Sequence, residues 1–301
     1  MKKLVLLIVL LQISVVQLYA QNPPWNVDES AYQFTMTFIA KLNVDGIQLD
    51  DTNDVVGAFV GNNCRGVAHL TFVESKDDYY AYLTVFSNSQ DEVISFKVYD
   101  SSKSTITQIN KTVQFKSGTN NGDLFQSFSI AEPALKSEAE LLSFQFGGSD
   151  SNKVKISGDS VEVNLDQSFD LSNLRPEFTI SEGAKLYKNG EELFSSEKSD
   201  DFTSEITYSV LSEDESTLNT YSVNVYQNAF YKKDAVCYTG GAIKVVSNQE
   251  GASVELISDG NSRYSKSITD GVAEFTDLES TFYTVTIGNQ TKKIQINMIT
   301  K

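Results

Sequence analysis

His69 is the only histidine in the chain, so a Ser-His-Asp or Cys-His arrangement would have to pass through it. It stands mid-strand between Ala68 and Leu70, and Cys64 is the nearest thiol. On one extended strand that spacing separates the two groups rather than joining them. A zinc site would have to unite His69 with Cys64 and the remote Cys237, whereas tetrahedral sites draw on clustered ligands. Neither a phosphate-cradling glycine loop nor a dinucleotide fingerprint occurs. The chain has 40 acidic residues, so paired carboxylates arise by chance, and nothing marks out a pair with an aromatic-walled cleft for glycoside cleavage. These residue types point away from an enzyme.

Two binding chemistries are better supplied. Asp45, Asp50, Asp51, Asn53 and Asp54 crowd one loop, and hard oxygen ligands of this kind suit calcium. Their spacing is not that of an EF-hand, and Asp and Asn are also ordinary turn residues. The second chemistry is sugar binding. Trp25 is the only tryptophan, and Tyr79, Tyr80 and Tyr82 follow the acidic turn Lys76-Asp77-Asp78. Rings on a sheet face stack on sugar rings while neighbouring carboxylates bind hydroxyls. The competing role is structural, with Trp25 capping a core edge and the tyrosines alternating into the sheet.

The elements that would position these groups read as strands. From Tyr32 to Val44 the even positions Tyr32, Phe34, Met36, Phe38, Ala40, Leu42 and Val44 share one face, which predicts a long half-buried strand. Further β-rich runs follow at Val55–Val60, Gly66–Phe72, Tyr79–Ser87, Val93–Tyr99, Thr105–Phe115 and Leu124–Ile130, separated by turn-forming clusters. A second series begins at Leu142–Phe146, after a connector with room for one helical turn at Ser137–Leu141. It continues through Ser160–Leu165, Glu177–Ile180, Ala184–Tyr187, Ile206–Leu211 and Tyr221–Tyr226. A third runs from Ala242–Val246 to Lys293–Asn297, with Asp259-Gly260-Asn261 and Asp270-Gly271 as tight-turn signals. The fold expected is all-β: tandem antiparallel, immunoglobulin-like β-sandwiches over 25–131, 132–228 and 231–301.

Residues 1–20 read as a secretory signal peptide. Lys2 and Lys3 precede the apolar run Leu4–Leu11, and Ala20 offers a small residue before Gln21. Gln12, Ser14 and Gln17 interrupt the run, which argues against a membrane anchor. In the oxidising compartment that this implies, Cys64 and Cys237 could pair, or each could serve as a small buried hydrophobe. The net charge is −16 and becomes more negative by two without Lys2 and Lys3. Lys and Arg are dispersed, so a nucleic-acid backbone would be repelled over most of the surface.

Three stretches carry resemblances. Asp54-Val55-Val56-Gly57-Ala58-Phe59-Val60, Cys64-Arg65-Gly66-Val67-Ala68 and Ile94-Ser95-Phe96-Lys97-Val98-Tyr99-Asp100 resemble a module of large secreted and surface proteins of Bacteroidota-type bacteria. Leu141-Leu142-Ser143-Phe144, Leu174-Arg175-Pro176-Glu177-Phe178 and Tyr221-Ser222-Val223-Asn224-Val225 resemble the immunoglobulin-like module that often follows it. The last unit is similar to C-terminal sorting domains of the type IX secretion system, through Val254-Glu255-Leu256-Ile257, Phe282-Tyr283-Thr284-Val285 and Thr291-Lys292-Lys293-Ile294. It lacks the Pro-Asn-Pro opening of that family and has Thr281 where glycine is usual. A carboxypeptidase-regulatory-like or transthyretin-like accessory sandwich is the competing resemblance.

The reading that follows is a non-catalytic secreted or cell-surface protein whose sandwiches present a face for adhesion or for a ligand, a glycan or a surface protein. The alternative is a hydrolytic or accessory component of extracellular polysaccharide breakdown. Membrane association would come only through secretion or surface attachment, with a periplasmic location if the sorting resemblance fails. No cofactor is called for beyond the calcium candidate.

Overall fold

The computed structural model of the 301-residue chain describes residues 23–147, 153–236 and 240–299. The leader over 1–20 and Cys237 lie outside the described residues. The described chain is all-β: strands alternate with turns, the helical content is two 3-10 turns at Glu29–Ala31 and Leu171–Asn173, and no described helix is long and apolar enough to cross a membrane. The chain folds as two compact units. The first holds the residues up to Ser137 together with Glu213–Thr217, and the second holds the remainder.

In the first unit the strand Phe34–Val44 alternates as its sequence predicts, with Met36, Phe38, Ala40, Leu42 and Val44 buried. It pairs antiparallel with Asp78–Ser87, and the sheet continues through Asn63–Val73, Val55–Val60, Val93–Asp100 and Thr105–Gln114. Phe38 meets Phe96 and Phe128 edge-on, at 5.6 and 4.9 Å between ring centroids, so the sheet wraps round a common aromatic core. Where the strands cross, Gly66 leaves room for the Thr84 carbonyl, since a Cβ there would lie 2.1 Å from that oxygen. Not every pairing is antiparallel: Asn120–Asn121 and Phe128–Glu132 add to Phe34–Val44 in parallel. The helical turn expected at Ser137–Leu141 is absent, and Leu141 instead opens a strand.

The second unit contains two hydrophobic cores. Round the first, the pair Leu141–Phe146 and Pro176–Ile180 faces a sheet of Lys153–Ser157, Ser160–Leu165, Leu218–Lys233, Ile206–Leu211, Lys185–Lys188 and Glu191–Leu193. Round the second, Gly241–Ser247 and Val272–Leu278 face the sheet Arg263–Ser267, Ser253–Ser258, Phe282–Ile287 and Gln290–Gln295. One strand, Leu218–Lys233, serves both cores: its first part pairs with Ser160–Leu165 and Ile206–Leu211, its last part with Gly241–Ser247. Tyr221, Val223 and Val225 are buried in odd register, whereas Asn228 and Phe230 face inward in even register. The inward face changes side at Tyr226-Gln227 because a strand presents successive side chains to opposite faces.

Candidate ligand-binding site

Two of the five calcium candidates, Asp51 and Asp54, accept from backbone N–H groups. Asp45 and Gly46 both have positive φ and form the two-residue turn between Val44 and Ile47. The Asp45 carboxylate is 3.7 Å from Lys103 Nζ. Asp54 is 2% exposed; its Oδ1 accepts from the Ser101 N–H and hydroxyl at 2.7 Å each, and its Oδ2 from the Asp51 N–H at 3.2 Å. Asp51 Oδ1 accepts from both nitrogens of Asn53 at 2.8 Å, a side-chain turn of the kind Asp readily makes. Asp50 is exposed. Among the described residues no group of three or more His, Cys, Asp or Glu side chains is placed to hold a metal ion.

The aromatic candidates divide by face. Trp25 is half-buried, edge-on to Phe59 at 5.5 Å, and lies over Gly57, where a Cβ would come within 2.7 Å of the indole. It caps the outer side of the strand Val55–Val60. Tyr79 packs beside Phe72 at 5.1 Å against the core. Tyr80 is 3% exposed, with its hydroxyl donating to the Leu124 carbonyl at 3.3 Å and the Lys41 ammonium 5.3 Å from its ring centroid. Tyr82, 48% exposed, alone of the four presents an open ring. Period-two alternation therefore sets Tyr79 against Tyr80 and Tyr82.

The reactive-group candidates stay apart from each other. His69 is exposed, with Nδ1 3.3 Å from the Thr52 carbonyl. The Cys64 Sγ lies 3.5 Å from the Gly66 carbonyl, and burial pushes its thiol up despite that contact, which disfavours the nucleophilic thiolate.

Another arrangement suited to a ligand lies in the second unit, among residues outside the candidates named so far. The strands Lys185–Lys188 and Glu191–Leu193 form a hairpin closed by Asn189-Gly190, both with positive φ. The serine-rich segment after it is tied to the facing sheet. Ser195 Oγ accepts from the Phe178 N–H at 2.9 Å, the Ser196 N–H donates to the Pro176 carbonyl at 2.9 Å, and Asp200 forms a two-bond bridge with Leu174. Between hairpin and segment opens a cleft of about 260 Å³. Its apolar side is formed by Pro176, Phe178, Leu193 and Tyr208, and Phe194, 63% exposed, stands at the rim. Its polar side holds Asn189, Ser199 and the ion pairs Lys188–Asp200 and Lys198–Glu191. The Tyr208 hydroxyl donates to Asp200 at 3.4 Å, and burial together with that carboxylate pushes the phenol well above its ordinary range. The phenol therefore stays a neutral donor. An open ring beside amide, hydroxyl and ion-paired groups is a surface that can stack one face of a sugar and hydrogen-bond its edge.

Residues 141–225 match the family model described as SGBP, N-terminal, where SGBP denotes a surface glycan-binding protein, and every residue lining the cleft falls within that span. No curated protein is matched. Among solved structures, a Bacteroides thetaiotaomicron protein provisionally described as a glycoside hydrolase is 25% identical over 36% of this chain, with a TM-score of 0.27. The chain spans only 28% of that protein's length. A Bacteroides fragilis protein provisionally described as secreted is 19% identical over 30% of this chain and 94% of its own, with a TM-score of 0.23. The titin I-band fragment I67-I69 is 11% identical over 89% of this chain and 99% of its own, with a TM-score of 0.26.

Proposed function

We propose that this is an exported, non-catalytic protein of the cell surface or the medium that binds glycan through the cleft between Phe178, Lys188, Phe194 and Asp200. One observation carries the reading: the cleft that joins an exposed ring to polar and ion-paired groups lies inside the span matching a surface glycan-binding family. Phe194 stacks on the sugar while Asn189, Ser199 and the Lys188–Asp200 pair take its hydroxyls. Sandwiches over 25–131, 132–228 and 231–301 provide the scaffold, and the leader over 1–20 begins export. The resemblance of the last segment to sorting domains supports passage across an outer membrane. Cell fractionation with mass spectrometry of both termini tests that route, and an unprocessed cytoplasmic chain would refute it.

The binding test is a glycan array followed by calorimetry on wild type and Phe194→Ala. Removing a stacking ring costs about 0.5–1.5 kcal/mol beyond its area, so affinity for the array's best ligand should fall about three- to tenfold or more. Because Phe194 is exposed, its removal should leave the melting temperature unchanged. A silent array, or equal affinity in the variant, would defeat the assignment.

A further inference from the structure

A second cleft, of about 480 Å³, opens in the first unit beside Asn120–Asn121 and Phe128–Glu132. Its hydrogen-bonding groups are only partly used. Lys111 Nζ lies 4.2 Å from the centroid of the Phe128 ring and donates to the Ser129 carbonyl at 3.1 Å, which leaves two of its three donors. Asn120 accepts from the Thr37 hydroxyl at 2.6 Å, so its NH2 is spare. Asn121 donates to the Thr37 carbonyl at 3.1 Å, so its oxygen is spare. The Gln126 side-chain amide has no partner among the described residues. By contrast the carboxylates are engaged: Asp123 accepts from the Phe125 and Gln126 N–H groups, and Glu215 from Ser127 and Lys41.

A recess of about 40 Å³ shares the walls Ser127 and Ser129 with this cleft. It is lined by Asn43, whose Oδ1 is buried with no hydrogen-bond partner among the described residues. A buried acceptor of this kind calls for a donor such as a hydroxyl. Burial holds the Lys111 ammonium below the ordinary lysine range, with the Asp214 charge opposing. Asp123, Asp214 and Glu215 around the cleft disfavour an anionic ligand.

We propose that this cleft is a second carbohydrate site, which takes a neutral, hydroxyl-rich sugar unit between the Lys111 ammonium and the amides of Asn120, Asn121 and Gln126. It shares its ligand class with the function proposed above but none of its residues.

The test is calorimetric titration of the whole mature chain with maltohexaose, cellohexaose, xylohexaose, mannohexaose and, as the acidic probe, hexagalacturonate. The proteins are wild type, Phe194→Ala, Gln126→Ala and the double variant Lys111→Met/Gln126→Ala. At least one neutral hexaose should keep its affinity in Phe194→Ala and lose about tenfold or more in the double variant, with a smaller loss in Gln126→Ala. Hexagalacturonate should bind more weakly. Gln126→Ala removes only the unpaired amide, so it remains informative should the double variant melt early. Binding that vanishes with Phe194→Ala alone would sustain the first cleft and overturn the second. Heats unchanged in the double variant, or absent with all five probes, would also overturn it. The first cleft stands or falls separately on the array and its own variant.

Discussion

Asp100 shows how buried carboxylates are managed in this chain. Burial opposes its charge, but the Ser102 hydroxyl, the Lys103 N–H and the Lys103 ammonium at 3.3 Å outweigh that cost and hold its carboxyl below the usual range. A depressed folded value contributes stability that is present above the unfolded pKa of about 3.9 and is lost as pH falls through the folded one. Urea midpoints of wild type and Asp100→Asn should therefore differ most near neutrality and converge as pH falls below the unfolded carboxylate value of about 3.9. A gap that widens in acid would contradict the sign. Gly66 gives a steric counterpart. Adding a Cβ 2.1 Å from the Thr84 carbonyl forces the two strands apart, so Gly66→Ala should cost the first unit about 1–3 kcal/mol. Trp25, packed on Gly57 and Phe59 in that unit and the only tryptophan, reports the change by fluorescence. At this scale residue types suited to a sugar site are legible in the sequence, but which of them stand open is not. Whether Tyr80 is open or covered depends on Lys41 and Leu124, which are remote along the chain, and no local pattern in Tyr79–Tyr82 contains that information.

Among the elements, Leu218–Lys233 tells most about what a sequence pattern can convey. Read alone, its alternation ends at Tyr226, because the apolar residues change parity there. The strand continues, and the parity break is the place where its inward side passes from one core to the other. At the crossing side-chain amides pair with one another: Asn228 donates to Asn164 at 2.9 Å and to Gln290 at 3.0 Å, while Asn164 donates to Asn289. Asn228→Leu would strand the Asn164 and Gln290 oxygens. It should destabilise the second unit by about 1–3 kcal/mol in urea while leaving the Trp25 transition in place. A coincident shift of the Trp25 signal would show that the effect spreads beyond that unit. The hairpin at the proposed glycan cleft was legible in principle. Asn189-Gly190 is among the strongest short-range hairpin signals, and its flanks Lys188 and Glu191 pair as that signal demands. What could not be read locally is the anchoring of Ser195 and Ser196 to Pro176 and Phe178, which turns a polar segment into one wall of a cleft.

For the whole molecule, period-two patterning was enough to convey the all-β class, because alternation in the short runs leaves no helical face to bury. The parallel additions to Phe34–Val44 and to Ser160–Leu165 were hidden, since strand direction leaves no trace in alternation. Two compact units, the first with one hydrophobic core and the second with two, should unfold as separable cooperative blocks. Scanning calorimetry of the chain is expected to resolve two transitions, with Trp25 fluorescence following one of them. A single transition tracked in full by Trp25 would mean that the units melt as one. With a net charge of −16, these transitions should depend little on protein concentration at neutral pH, where self-repulsion keeps copies apart.

The undivided strand Leu218–Lys233 has a mechanical consequence. A chain fixed at a surface and tugged through a bound polymer is loaded along its backbone. Along this strand the ladders to Ser160–Leu165, Ile206–Leu211 and Gly241–Ser247 run parallel to the pull. They meet the load in shear, many hydrogen bonds together, instead of peeling one by one. Rupture under tension is set by the unfolding barrier rather than by equilibrium stability. Tension would thus travel from one core of the second unit to the next without a hinge to yield first.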